Sequence, residues 1–296
     1  MSTTKDCDFI KLNRIALLFS LILIVISFCS IFLKKFNFGI DFTGGVIFDL
    51  SMTDFILEND VKNALSINYE NNVIQKYTDG IIIKIPKKDI QNENKDIENI
   101  TQIIKSINNE IIFNKIDFVG PQVGEMLIKN GIISLLLSFV GILLYIWSRF
   151  KLHFGTSAVV ALLHNVILLF GFISISQLNF DLTTIAAILT VVGYSVNDTV
   201  VLFDRIRENL KTYKNENIGK IINISINNNL KRTLYTSIST LLAISPLLFS
   251  TVSGLKSFSV IVSIGIIIGT YSSIFIASSM LMYNYKLIGV KKNEKN

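Results

Sequence analysis

Six runs of about 20 apolar residues decide most of what this chain can become. They are Ile15–Leu33, Gly131–Trp147, Ser157–Ser176, Leu182–Phe203, Thr233–Val252 and Phe258–Tyr283. As a helix, each is long enough to cross a hydrocarbon layer roughly 30 Å thick. Lipid offers no partner to an open backbone, so a single-segment span must be helical. Composition agrees: half of the 296 residues are hydrophobic, 17% are charged and the mean hydropathy is +0.53. A soluble domain of this length rarely looks so apolar. The predicted fold class is an α-helical polytopic membrane protein with six transmembrane helices. The first run, residues 15–33, is too long for a signal-peptide core. It is followed by Lys34-Lys35-Phe36 without a small-x-small cleavage pattern, so it reads as a retained anchor.

Charge sets the orientation. An even number of spans puts both termini on one side, together with the pieces 1–14, 148–156, 204–232 and 284–296. These hold 16 Lys/Arg against 6 Asp/Glu. On the other side, 177–181 has no basic residue and 253–257 has only Lys256. The positive-inside rule makes both termini, the loop 204–232 and the tail 284–296 cytoplasmic, with residues 131–283 forming spans two to six. A formal net charge of +6 is too modest and too unevenly spread to argue for nucleic acid. Cys7 and Cys29 imply no disulfide framework.

Between the first two spans, residues 34–130 are long enough for one small extracytoplasmic domain. Gly44–Leu50 reads as a strand. Phe55–Ile67 carries apolar residues at helical spacing, with Asp54 as its cap. Val73–Tyr77 and Ile81–Ile85 flank Thr78-Asp79-Gly80, a hairpin signal. Ile97–Ile112 is a helical isoleucine stripe, Lys115–Val119 a last strand, and the polar run Lys87–Lys95 a surface loop. The order βαββαβ is that of a small α+β ferredoxin-like domain. Its carboxylates are scattered and it has no histidine, cysteine or tryptophan, so nothing in it looks catalytic. Its entrance is Phe38-Gly39-Ile40-Asp41-Phe42-Thr43-Gly44-Gly45. There Asp41 can cap nearby amides, while Gly44 and Gly45 allow a backbone path closed to other residues. A tight turn joining helix to strand would explain that much by itself.

The fourth run contains Asn197 and Asp198 within GYSVNDTVVLFDRIREN. A carboxylate at bilayer depth costs about 2.5–3.5 kcal/mol on insertion scales, so it usually carries protons, binds ions or pairs with a charge. On a helix, Thr184, Ala187, Val191, Tyr194, Ser195 and Asp198 share one face, a hydroxyl ladder of the kind that lines a hydrated path, with Thr199 beside it. Asn197 aligns instead with Ala186, Thr190 and Gly193, a face small enough for close approach of another helix. The plainer alternative is an Asp198 that caps or pairs at the interface. The nearest candidate cation is Arg232, at the entrance to the fifth span, which could equally be a snorkelling arginine. Asp204, Arg205 and Arg207 are explained by interfacial anchoring. His164 reads as a packing or hydrogen-bonding residue, Gly265-xxx-Gly269 with Ser272, Ser273 and Ala277 as a helix-packing seam, and Pro246 as a kink. There is no phosphate-binding G-x-x-x-x-G-K-[ST] loop, no H-E-x-x-H and no G-x-S-x-G. No catalytic residue, cofactor or metal is expected.

FGIDFTGG after the first span and GYSVNDTVVLFDRIREN in the fourth together resemble the SecF family, the smaller subunits of the bacterial SecDF protein-export complex. The resemblance covers nearly the whole chain. It implies one half of a membrane core of the RND superfamily, in the bacterial inner membrane, partnered by SecD. It further implies association with the SecYEG translocon and YajC, contact with preproteins and membrane lipid, and use of the proton-motive force to assist export. By the same resemblance Asp198 and Arg232 are the proton-coupling pair, Asn197, Thr199, Ser195 and Tyr194 the supporting polar face, and Asp41, Gly44 and Gly45 the structural motif. Two other functions compete: one half of an RND-type exporter of lipids or small molecules, and a passive translocon scaffold.

Overall fold

The computed structural model describes residues 8–51, 58–69, 72–77, 80–87, 90, 92–108, 111–150, 152–250 and 252–293. Helix α1 (Phe9–Lys34) leads to a two-residue strand β1 (Asn37–Phe38) and a one-turn helix α2 (Ile40–Thr43). A small α+β layer follows: β2 (Gly45–Ser51), α3 (Glu58–Ser66), β3 (Val73–Tyr77), β4 (Gly80–Pro86), α4 (Glu93–Ile107) and β5 (Ile112–Val119). The chain then enters α5 (Pro121–Arg149), α6 (Leu152–Ser176), β6 (Asn179–Phe180), α7 (Leu182–Thr212), α8 (Ile218–Leu248) and α9 (Ser253–Ser272). A π-helical turn, Ser273–Ala277, carries α9 into α10 (Ser278–Asn293).

Among the described residues, five helical stretches are long and apolar enough to cross a membrane: Phe9–Lys34, Val123–Arg149, Leu152–Ser176, Leu182–Thr212 and Gly254–Tyr285. The expected run Thr233–Val252 is not one of them. It occupies the second half of α8, which ends at Leu248, and Thr233, Thr236, Ser237, Ser239 and Thr240 dilute its apolar character. The first helix begins at Phe9, six residues ahead of the apolar run, because Asp8 caps it by accepting from the Lys11 N–H. It lies against α6 at Gly171, where a Cβ would stand 2.7 Å from the Cα of Ser27. That close approach brings the Ser30 and Ser174 hydroxyls into a 3.0 Å hydrogen bond.

The sheet of the α+β layer has the order β3-β4-β2-β5, with every neighbouring pair antiparallel. Alternation turns Val46, Phe48 and Leu50 of β2 and Ile81, Ile83 and Ile85 of β4 to one side. There they meet Val61 and Leu65 of α3 and Ile100 and Ile104 of α4 in one buried cluster. The isoleucine stripe expected as a helix over 97–112 divides in two. Asn92 caps α4 by accepting from Lys95 N, Asn108 turns extended, and Ile112 opens β5 opposite Ser51. The β5 strand therefore begins three residues before the expected Lys115. The expected cap Asp54, the start of its helix at Phe55, and Thr78-Asp79 of the hairpin turn lie outside the described residues.

Gly44 and Gly45 adopt φ of +71° and +152°. Both fall where side-chain-bearing residues are strained, and at Gly45 a Cβ would stand 2.2 Å from the Ile85 carbonyl oxygen. Gly45→Ala is expected to destabilise the chain by about 2 kcal/mol or more, because strain and overlap with backbone add. Gly141→Ala, where nothing lies within 4 Å, should be silent. Thermal unfolding of the two variants in detergent checks the contrast.

Candidate functional site in the helix bundle

Helix α7 starts firmly because Asp181 accepts from Thr184 N at 2.9 Å, and it then runs 31 residues without a proline. Its buried stripe is Thr184, Ala187, Val191, Ser195 and Asp198, with Thr199 beside it. Helix α9 lies directly on that stripe. A Cβ on Gly265 would be 2.2 Å from Cγ2 of Val191, and one on Gly269 would be 3.3 Å from Cβ of Ser195. The glycine seam therefore faces the hydroxyl ladder and closes it. A cavity of about 10 Å³ lies beside Asp198, lined also by Asn229, Thr233 and Ser273. That is room for about one water.

Because the seam excludes water, its polar groups satisfy one another across helices. Asn165 of α6 donates to the Ser195 hydroxyl, and His164 Nδ1 lies 3.3 Å from Asn165 Oδ1. The Tyr194 hydroxyl donates to Ser237 of α8, which is 2.7 Å from the Thr270 hydroxyl of α9. Thr199 and Ser273 are 2.9 Å apart, and Asn229 donates to Thr233 at 3.2 Å. These bonds join four helices around one carboxylate. Ser273 opens the π-helical turn, and such turns inside α-helices often mark functional positions.

Asp198 is buried, 8% exposed, and its Oδ2 has no hydrogen-bond partner among the described residues. It faces the Thr233 hydroxyl, while Arg232 acts on it through space. Among the described residues no ion pair joins Asp198 to Arg232, whose side chain is exposed on the turn before Thr233. Tyr194, Ser195 and Thr199 share the bonded seam. Asn197 does not: with Ala186, Thr190 and Gly193 it forms a stripe left exposed by the described residues. Of the carboxylates further along, Asp204 sits between Arg149 at 3.1 Å and Arg207 at 2.8 Å, tying the ends of α5 and α7 together.

The entrance motif is built against the same helix. Strand β1 pairs in parallel with β6, Gly39 N donates to Phe180 O at 2.9 Å, and Asp41 accepts from Leu182 N at 3.3 Å. Phe36, Phe38, Phe42 and Phe180 pack edge-to-face and tilted around the joint. Gly124 at the start of α5 admits the Phe42 carbonyl, which a Cβ would meet at 2.6 Å. Asp41 thus caps the first turn of the helix that carries Asp198. Sequence reasoning missed Asn165, Thr233, Ser237 and Thr270, and read Ser273 only as part of a helix-packing seam. Small polar residues recurring in apolar runs were the available signal.

The seam makes a graded prediction. Gly265→Ala should lower the detergent melting temperature clearly and Gly269→Ala only slightly, since the first meets Val191 head-on. Val191→Ala in the same chain should recover part of the Gly265→Ala loss, an interaction of roughly 0.5–3 kcal/mol in a double-mutant cycle.

The chain is similar to known proteins along nearly its whole length. The profile of the SecD/SecF protein export membrane protein, C-terminal region, matches residues 99–287, and that of the SecD/SecF GG motif matches 30–53. Protein translocase subunit SecF of Rickettsia rickettsii (strain Sheila Smith) is 44% identical over 282 residues, covering 93% of this chain and 91% of that protein. The same subunit from Rickettsia conorii (strain ATCC VR-613 / Malish 7) is 45% identical over the same length. Among solved structures, SecDF from Thermus, a translocon-associated membrane protein, superposes with a TM-score of 0.81 at 32% identity. That match covers 99% of this chain and 40% of the other. SecDF in its super-membrane-facing form gives 0.78 at 31%, covering 100% and 41%. The chain spans about two-fifths of those longer SecDF chains. A profile over most of the sequence, relatives along nearly its whole length and the shared fold agree, and the chain belongs to the SecF family of bacterial protein export membrane proteins.

Proposed function

We propose that the chain is the SecF-like half of a proton-driven machine that draws preproteins outward alongside a SecYEG-type channel. In this reading six helices span the membrane, α8 being the sixth member of the set, and both termini are cytoplasmic. Its RND-like half-core meets a SecD-type partner on the stripe Ala186, Thr190, Gly193 and Asn197. The sheet order and the βαββαβ sequence support a ferredoxin-like domain outside. A SecDF partnership is supported by the two structural matches.

One observation carries the mechanism: a buried carboxylate with an unpartnered oxygen, at the crossing of α7, α8 and the π-helical turn. Charged, Asp198 needs Thr233, the field of Arg232 and a water in the small cavity. Protonated, it becomes a donor that needs an acceptor, and the same four helices prefer a different packing. A proton taken from one side and released to the other thus switches the seam once per passage. Each proton crossing 100 mV supplies about 2.3 kcal/mol from the electrical term, enough to bias two packings several-fold. Helix α7 transmits the change, because its first turn is capped by Asp41 at the root of the outside domain. The Asp41–Gly45 motif acts here as a mechanical joint.

Asp198→Asn keeps the shape and removes the titration. The variant is expected to assemble with its SecD-type partner while proton-driven preprotein export falls by about tenfold or more. Arg232→Met should fall in the same direction. Normal export by an assembled Asp198→Asn complex, measured in inverted vesicles with an imposed proton gradient, rules out proton coupling through this residue.

A further inference from the structure

At the end of α1 far from the outside domain, a cavity of about 520 Å³ opens between that helix and α10, and nothing in the seam mechanism uses it. Its rim carries Lys11 and Arg14, its wall Asn13 and Ser279, and its floor Leu17 and Met282. The cavity falls within the size range of small-ligand sites. Helix α1 has 26 residues, about 39 Å at ~1.5 Å each, so its end turns project beyond a hydrocarbon layer of roughly 30 Å. The rim therefore lies at headgroup level, and the floor at the start of the acyl chains.

The charges are unequal. Lys11 holds the Asp8 carboxylate at 3.2 Å and is largely neutralised. Arg14 has no carboxylate within 4.0 Å among the described residues, leaving its five-donor fork open. Asn13 is buried and accepts from the Ser279 hydroxyl, and its amide nitrogen donates to nothing among the described residues. An unpaired guanidinium and a free amide donor over an apolar floor match a phosphate ester with acyl chains attached. They match a zwitterionic headgroup less well, since its ammonium gains nothing from the Arg14 guanidinium or the Asn13 amide, which only donate. We infer that this cavity binds one anionic phospholipid, its phosphate held by Arg14 and Asn13 and one acyl chain running along Leu17. The inference needs neither proton coupling nor a particular orientation of the chain.

The test is native mass spectrometry of the full-length chain in detergent, titrated with phosphatidylglycerol or phosphatidylcholine. One phosphatidylglycerol should be retained per chain, about fivefold to tenfold more tightly than phosphatidylcholine. Arg14→Gln should abolish the preference and Arg14→Lys keep part of it. Leu17→Trp, which fills the floor without touching charge, should weaken phosphatidylglycerol binding as well. Lys214→Gln, in the exposed turn between α7 and α8, should change nothing. Equal binding of both lipids by the unaltered chain overturns the site. So does a loss in Lys214→Gln as large as in Arg14→Gln, which would mean general surface charge alone.

Discussion

Contact between α7 and α9 with no side chain on the α9 side is the constraint on which the bundle depends. Gly265 and Gly269 bring α9 onto Val191 and Ser195 so closely that water is excluded from a face made of hydroxyls. Inside a bilayer those hydroxyls find no partner in lipid, and each must bond to a neighbour within the protein. The result is a connected set of small polar groups on α6, α7, α8 and α9, satisfied through Asn165–Ser195, Tyr194–Ser237–Thr270 and Thr199–Ser273. Apolar packing alone distinguishes helix registers poorly in a membrane, because lipid tails are as apolar as leucine. Directed hydrogen bonds supply the missing discrimination.

Within that set Asp198 and His164 are the exceptions, since Asp198 Oδ2 and His164 Nε2 have no hydrogen-bond partner among the described residues. The same tight packing that satisfies the hydroxyls leaves about 10 Å³ at the carboxylate. That space suits one water and not a column of them. The exposed Asn197 and Arg232, on α7 and α8, border a surface that this chain leaves uncovered.

Much of this was legible in sequence, and for identifiable reasons. Long apolar runs declare helices because no other backbone survives in lipid, and α1, α5, α6, α7 and the α9–α10 stretch are present where runs were read. The hydroxyl-rich α8 carries the run Thr233–Val252 that reads as a span, yet its serines and threonines keep it out of the helices apolar enough to cross a membrane. Edges were less legible. An isoleucine stripe over 97–112 has the same composition on both sides of Asn108, and only the pairing of Ile112 with Ser51 divides helix from strand. The joint β1–β6 was not legible at all: two residues near 37 and two near 179 are no strand until the fold makes them neighbours. In the site, Asp198 stood out as a charge in an apolar run. Ser273 and Thr233 did not, because one serine or threonine in a span is ordinary and their meaning lies in what faces them.

The π-helical turn is the irregular point of the α9–α10 stretch, and it lies at the seam. One extra residue in the turn Ser273–Ala277 leaves a carbonyl out of the regular ladder, and the Ser278 and Ser279 hydroxyls bond back to Ile274 and Phe275. A helix held in this form by side chains has an alternative close in energy, the regular α-helix, reached by rotating everything beyond it. Ser273 bonds Thr199, the residue after Asp198, so the turn is held by the same face of α7 that carries the carboxylate. Any change in what Asp198 needs from its surroundings is felt first at that bond. Rotation beyond it would swing α10 about α9, while α7, fixed at its other end by Asp41 and the β1–β6 pair, passes the strain to the root of the outside domain. In the proton-coupled reading proposed above, a bistable turn at one end and a rigid joint at the other would turn a local proton event into a displacement. A uniformly regular helix bundle, deforming evenly, would dissipate it.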